Sequence, residues 1–231
     1  MALTSQIKTM NLDIQDLGAG LDFQETWDRQ EALVAQRRTG QIGDTFLLLE
    51  HAPVYTIGRT RDQSSLRDQR QLPHPLVEIN RGGEGTYHGP GQLVGYAILD
   101  LANYHKDLHR HLRNLEEAII ETIGEFGITA QRHEGLTGVW IENRKIASLG
   151  VGVRSWVTLH GLALNVQKRS LQPFQAITPC GIADVSMTSL ESETDKEIPM
   201  SEVKTILAGK YQIILDREAL GNAVSAGAAN P

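Results

Sequence analysis

One cysteine, Cys180, in 231 residues excludes an intramolecular disulfide and any multi-thiolate metal site, and it fits a reducing compartment. Long apolar runs are missing as well. No stretch approaches the ~20 consecutive apolar residues of a membrane span, and the leading MALTSQIKTMNLDIQ has no apolar core of a secretory signal. These absences set the expectation of a soluble, unexported, cytoplasmic protein. Positive charge is short too: 22 Lys and Arg against 28 Asp and Glu give a formal charge of −6, which argues against sequence-independent nucleic-acid binding. No internal repeat or low-complexity linker divides the chain, and 40% hydrophobic residues suffice for one core.

What is present is glycine in one place. Residues 81–92 read R-G-G-E-G-T-Y-H-G-P-G-Q, five glycines and a proline in twelve positions. Such a run suits neither a helix nor a central strand, because glycine loses the most backbone entropy on ordering and proline cannot donate to a ladder. It reads either as an ordinary surface turn or as a loop built for close approach of a ligand to main-chain amides. No Gly-Lys-Ser/Thr closes it, so the Walker pattern of a phosphate cradle is absent.

Phe23, Trp27 and Val34 sit at helical spacing ahead of Gly40, and T-F-L-L-L-E at 45–50 is a short continuous apolar run suited to a buried strand. Strands are expected on either side of the glycine-rich loop, at 77–80 and 94–100. Leu108, Leu112, Leu115, Ile119, Ile123 and Phe126 mark the clearest amphipathic helix, stopped by Gly127. Three strands follow over 138–142, 145–153 and 156–166, the first two joined as a hairpin. A short helix around 203–207 is expected to end at Gly209, and residues 217–231 to fray as a flexible tail after a single catalytic domain over 1–216. The fold class is α/β (α+β), with a mixed β-sheet flanked by helices.

Cys180 lies in I-T-P-C-G-I, where the proline restricts the chain before the thiol and the glycine lets it turn after. A thiol there can be presented on a loop, and it becomes reactive once its thiolate is stabilised. Lys145 opens K-I-A-S-L-G, whose small Ala147, Ser148 and Gly150 leave space that a core strand would fill. A lysine bordering such space can serve as a base once withdrawn from water. His88 is a second titratable group within reach of a shared cleft. His105 and His109 have i, i+4 spacing, but His111 falls off that face and no carboxylate completes a metal set, so they read as a solvated helix end with no metal. His160 precedes Gly161 and Ala163, a patch that is either close strand packing or a pocket floor.

Taken together, these segments resemble the lipoyl(octanoyl) transferase family, the octanoyl-acyl-carrier-protein:protein N-octanoyltransferases. The match runs in order through R-G-G-E-G-T-Y-H-G-P-G-Q-L-V at 81–94, G-V-W-I at 138–141, R-K-I-A-S-L-G at 144–150, W-V-T-L-H-G-L-A-L-N-V at 156–166 and P-C-G-I at 179–182. Glu84-Gly85 and Ser148-Leu149 fall at variable positions of those patterns. The resemblance implies a fold similar to the catalytic domain of lipoate and biotin protein ligases. It implies Cys180 as acyl-thioester nucleophile and Lys145 as its activating partner, with no cofactor. It places substrate contacts on Arg81, Gly82, Gly83, Glu84, Gly85, Thr86, Tyr87 and His88, on Ser148, Leu149 and Gly150, and on Gly161, Leu162 and Ala163.

The reaction so implied moves an octanoyl group from octanoyl-acyl carrier protein, through a Cys180 thioester, to a lysine of a lipoyl domain. The acceptors would be the lipoyl domains of 2-oxoacid dehydrogenase complexes and the glycine cleavage H protein, with no nucleic acid or membrane involved. Two clusters, Arg59, Arg61, Arg67, Arg70 and Arg81, and Lys106, Arg110 and Arg113, read as a docking surface for such acidic partners. Two other readings stand beside it: an ATP-dependent lipoate ligase on the same fold, which needs no nucleophilic cysteine, and a non-enzymatic acyl- or lipoyl-binding protein. A cysteine hydrolase is weaker, for nothing resembles an orienting Asn or Asp for His88.

Overall fold

T-F-L-L-L-E-H is apolar without alternation because both faces of its strand are covered. In the computed structural model, which describes residues 11–58, 63–66, 69–79, 81, 83–178 and 185–228, every residue of β2 (Thr45–His51) is buried. Phe46 and Leu48 point into the main core and Leu47 and Leu49 into a second cluster on the other face, as the period of two requires.

The strand is an interior one, second from the edge, in a seven-stranded mixed sheet of order β1-β2-β6-β9-β8-β10, with β7 also paired to β8. Its members are β1 (Asp13–Leu21), β6 (Gln92–Ile98), β7 (Val139–Ile141), β8 (Arg144–Arg154), β9 (Val157–Asn165) and β10 (Ser186–Met187). The β1–β2 and β8–β10 pairs are parallel and the others antiparallel. A smaller sheet, β4-β3-β5, is made of β3 (Val54–Ile57), β4 (Leu76–Glu78) and β5 (Thr86–His88).

Helix α1 (Phe23–Arg38) covers one face of the large sheet, its Val34 packed with Ile98, Val157 and Leu159. Asp22 caps it, its carboxylate accepting from the Glu25 amide at 3.0 Å. On the opposite face lie α2 (Leu108–Gly124), capped by Asp107, and α4 (Met200–Ala228), after the single-turn α3 (Leu190–Thr194). Leu115, Ile119 and Ile123 of α2 and Leu207, Tyr211 and Leu215 of α4 close the main core against Phe46, Leu93 and Leu164. This is the expected α/β (α+β) arrangement. Among the described residues no helix is long and apolar enough to cross a membrane.

Three expectations are corrected. The glycine-rich run is not one loop from strand to strand, since Thr86–His88 forms β5, pairing antiparallel with Val54–Thr56 at the edge of the small sheet. Its glycines flank this T-Y-H triplet instead of breaking it. Nor does the late helix stop at Gly209. It continues to Ala228, through most of the expected tail over 217–231. Gly209 faces open space, so it costs only propensity, about 1 kcal/mol. That cost is outweighed by the burial of Tyr211, Ile214 and Leu215 beyond it. Beyond Leu220, Asn222 donates to the carbonyl of Asn103 at 3.1 Å. Finally, His111 is not solvated: it is buried on the inner face of α2, 3.5 Å from the Tyr211 hydroxyl, and burial pulls its pKa down to about 4.

Candidate active site

Antiparallel pairing of β8 with β9 sets Ser148 opposite Ala163, Leu149 opposite Leu162 and Gly150 opposite Gly161. Small side chains on adjacent strands leave a trough, and the loop before β5 and the segment before β7 roof it. The result is a cavity of ≈ 230 Å³. Its walls include Arg81, Gly83, Glu84, Gly85, Thr86 and His88, Ser148, Leu149 and Gly150, Gly161, Leu162 and Ala163, and Lys145. Thus segments far apart in sequence meet in one enclosure. Phe23, Ile79, Tyr96, His160, Gly135, Leu136 and Thr137 also line it.

Tyr87 does not line it. On a strand, neighbours face opposite sides, so Thr86 and His88 turn to the cavity while Tyr87 enters the core of the small sheet. There it lies 5.3 Å from the Tyr55 ring and 5.7 Å, edge-on, from Phe174. Gly82 and Cys180 lie outside the described residues. The chain on either side of Cys180 is described, however. The Thr178 amide donates to the Ser65 carbonyl at 2.7 Å, and Ser186 and Met187 pair with Arg144 and Lys145.

Lys145 is 1% exposed, although it starts a strand beside a turn. Its Nζ donates to the Thr137 carbonyl at 3.2 Å and stands 5.4 Å from the centre of the Trp140 ring. Gly138 makes this course possible. With φ at +140° and no side chain, it sits where a Cβ would fall 2.6 Å from Lys145 Cε.

Arg81 is also internal, its guanidinium donating to Thr56 Oγ1 at 2.9 Å and to the Glu84 carbonyl at 2.9 Å. It therefore fixes the glycine-rich turn and belongs to no docking surface. The other described cations of the two clusters, Arg70, Lys106, Arg110 and Arg113, are exposed, with Arg110 paired to Glu218 and Arg113 to Glu116 within the chain. Arg59, Arg61 and Arg67 fall outside the described residues.

Two wall residues, His88 and His160, are neutral imidazoles, and a third, His51, stands 5.8 Å from the His88 ring. Gln92 donates to the Tyr87 carbonyl at 3.1 Å and to Asn165 at 3.0 Å, so its Oε1 is left to accept from His88 Nδ1 at 2.8 Å. His88 thereby carries its proton on Nδ1. Desolvation, then the neighbouring His51, pulls its pKa down to about 3. His51 accepts the Tyr96 hydroxyl on Nε2 at 2.7 Å and donates from Nδ1 to the Leu21 carbonyl, and burial takes its pKa to about 4. His160, in the left-handed region at φ +62°, has its amide bound by Gln30 Oε1 at 2.8 Å, and burial followed by Arg81 lowers its pKa to about 3. Next to it a Cβ on Gly161 would meet the Gly95 carbonyl at 2.2 Å, so close strand approach and pocket floor are here the same thing.

Residues 135–137, Phe23 and Tyr96 were not among the sequence-derived candidates. The one local signal was G-L-T-G, two glycines bracketing the entry to β7.

The lipoyl protein ligase A/B catalytic domain model matches residues 22–212. An octanoyltransferase of Geobacter metallireducens is 47% identical over 203 residues, 88% of this chain and 93% of the relative. One from Rubrobacter xylanophilus is 44% identical over 210 residues, 88% and 94% of the respective chains. Among solved structures, the bipartite lipoate protein ligase of Thermoplasma acidophilum superposes with a TM-score of 0.65 at 16% identity, over 89% of this chain and 84% of that one. Biotin protein ligase from Aquifex aeolicus gives 0.57 at 16%, over 89% and 71%. These last two speak for the fold, and the closer relatives for the family: the chain belongs to the octanoyltransferases, acyl-transferring enzymes built on the lipoyl protein ligase A/B catalytic domain.

Proposed function

We propose that the protein transfers an octanoyl group from acyl carrier protein to a lysine of a lipoyl domain through a thioester on Cys180. The observation that carries this reading is Lys145: a fully buried amine at the wall of a cavity floored by small residues. The chain returns to pair with its strand, Ser186 with Arg144 and Met187 with Lys145, soon after Cys180.

Lys145 Nζ accepts the Cys180 thiol proton, and the thiolate attacks the thioester carbonyl of the donor. The C–S bond to pantetheine breaks, and that sulfur leaves with the proton held by Lys145. The amine of the target lysine then attacks the Cys180 thioester, Lys145 accepts its proton, and the Cys180 sulfur departs and recovers it. Main-chain amides of the glycine-rich loop hold the developing oxyanion. One thioester replaces another and an amide is the more stable product, so no ATP is consumed. The floor at Ser148, Gly150, Gly161 and Ala163 takes the alkyl chain, and Arg81 and Glu84 fix the roof over it.

The test is intact-mass spectrometry after mixing with octanoyl-acyl carrier protein in the absence of ATP. The wild-type chain should gain one octanoyl group and lose it on addition of a lipoyl domain. Cys180→Ala should gain none, and an unchanged mass gain in that variant overturns the assignment.

A further inference from the structure

A carboxylate with no exposed surface sits in the middle of α2. Glu116 is 0% exposed, and each of its oxygens is engaged. Oε1 accepts from the Gly138 amide at 3.0 Å, and Oε2 accepts from Arg113 Nη1 at 2.6 Å and Arg132 Nε at 3.0 Å. Arg132 is itself tied to the Arg113 carbonyl and to Glu117. Burying an ion this fully is costly, and an apolar residue of similar volume would often stabilise the helix packing as well or better. The carboxylate does something more local than tie α2 to the arginine of the segment before β7.

Among the described residues, its main-chain contact is with the residue that Lys145 lies against. Gly138 and Thr137 together form the seat of that side chain, the first by leaving room at Cε and the second by accepting from Nζ. The same segment forms part of the cavity wall through Gly135, Leu136 and Thr137. From these contacts we infer that Glu116 is a positioning residue for Lys145: it fixes the Gly138 peptide, and through it the Thr137 carbonyl, so that the amine is held toward the reacting thiol. Glu116 touches no substrate. Its effect on the reaction passes through the seat.

This inference rests on the Cys180/Lys145 reading, and one experiment separates the two. The rate of Cys180 alkylation by iodoacetamide is measured against pH in the wild type, Lys145→Ala, Glu116→Ala and Glu116→Gln. Removing the lysine should move the curve to higher pH. Glu116→Ala should move it in the same direction, because the amine no longer faces the thiol, with a fall in transfer of about tenfold or more. Glu116→Gln keeps the side-chain volume and an oxygen for the Gly138 amide, so it should fold even where the alanine variant does not, and show a smaller shift of the same sign. If Lys145→Ala moves the curve and both Glu116 variants leave it in place, the positioning role is wrong while the dyad stands. If Lys145→Ala also leaves it in place, the dyad fails and the role of Glu116 fails with it.

Discussion

Gly138 and Lys145 face each other where β7 meets β8 with no room for a methyl group between them. A Cβ on Gly138 would fall 2.6 Å from Lys145 Cε and 2.9 Å from the Ala147 carbonyl, and φ at +140° is strained for any L side chain. Gly138→Ala should therefore displace the amine by a large fraction of an ångström. A loss of about 100-fold in transfer is expected from such a misplacement, with a cost of about 1–3 kcal/mol in stability. Steady-state rates beside thermal unfolding of the same variant check this: full activity would mean that the seat tolerates a side chain.

Tyr87 offers the converse. It belongs to the R-G-G-E-G-T-Y-H run but turns into the core of the small sheet beside Tyr55 and Phe174. Tyr87→Phe keeps the ring and should leave the transfer rate within about twofold, while Tyr87→Ala, which empties a core site, should cost about 3–5 kcal/mol. Denaturant unfolding and initial rates on both variants distinguish the two effects. A large rate loss in the phenylalanine variant would place the hydroxyl in the reaction.

The buried imidazoles predict acid sensitivity. His51 and His111 have their pKa lowered to about 4, and His88 and His160 to about 3. In the unfolded chain each titrates near ~6.5, so between that value and its folded pKa the unfolded state binds more protons. Stability is therefore full above about pH 6.5 and falls as pH drops toward 4, each imidazole adding up to about 1.4 kcal/mol per pH unit to the slope. Melting temperatures between pH 7.5 and 5 measure it. His111→Phe, remote from the cavity, should flatten the curve, and an unaltered slope would mean that His111 already gains its proton in the fold.

Much of the fold is legible in the chain because its signals are local. Phe23–Arg38 is marked by Phe23, Trp27 and Val34 at helical spacing ahead of Gly40, and β2 by its unbroken apolarity. The end of α4 is misread for the opposite reason. Gly209 looks like a stop in isolation, and only the layer of α2 and sheet side chains waiting for Tyr211 and Leu215 overrides it. At the site, the glycine-rich and small-residue segments and Lys145 are found by pattern and meet in one cavity. The orientation of Tyr87 and the burial of Arg81 depend on a three-residue strand whose partner lies some thirty positions earlier, and no local pattern announces it. Glu116 is hidden likewise: within the apolar stripe of α2 it reads as a stray charge until Gly138 is folded against it.

The floor of the cavity is paired main chain. Ser148 to Gly150 and Gly161 to Ala163 are locked to each other across β8 and β9, with β6 bonded along the far side of β9. A floor of that kind does not breathe as a loop would, so its depth is set at synthesis and not by the incoming chain. Under the proposed function, retuning the acyl length would proceed atom by atom, through a hydroxyl removed at Ser148 or a methyl added to Ala163, each step changing the depth by a fixed increment while leaving Lys145 and its seat in place.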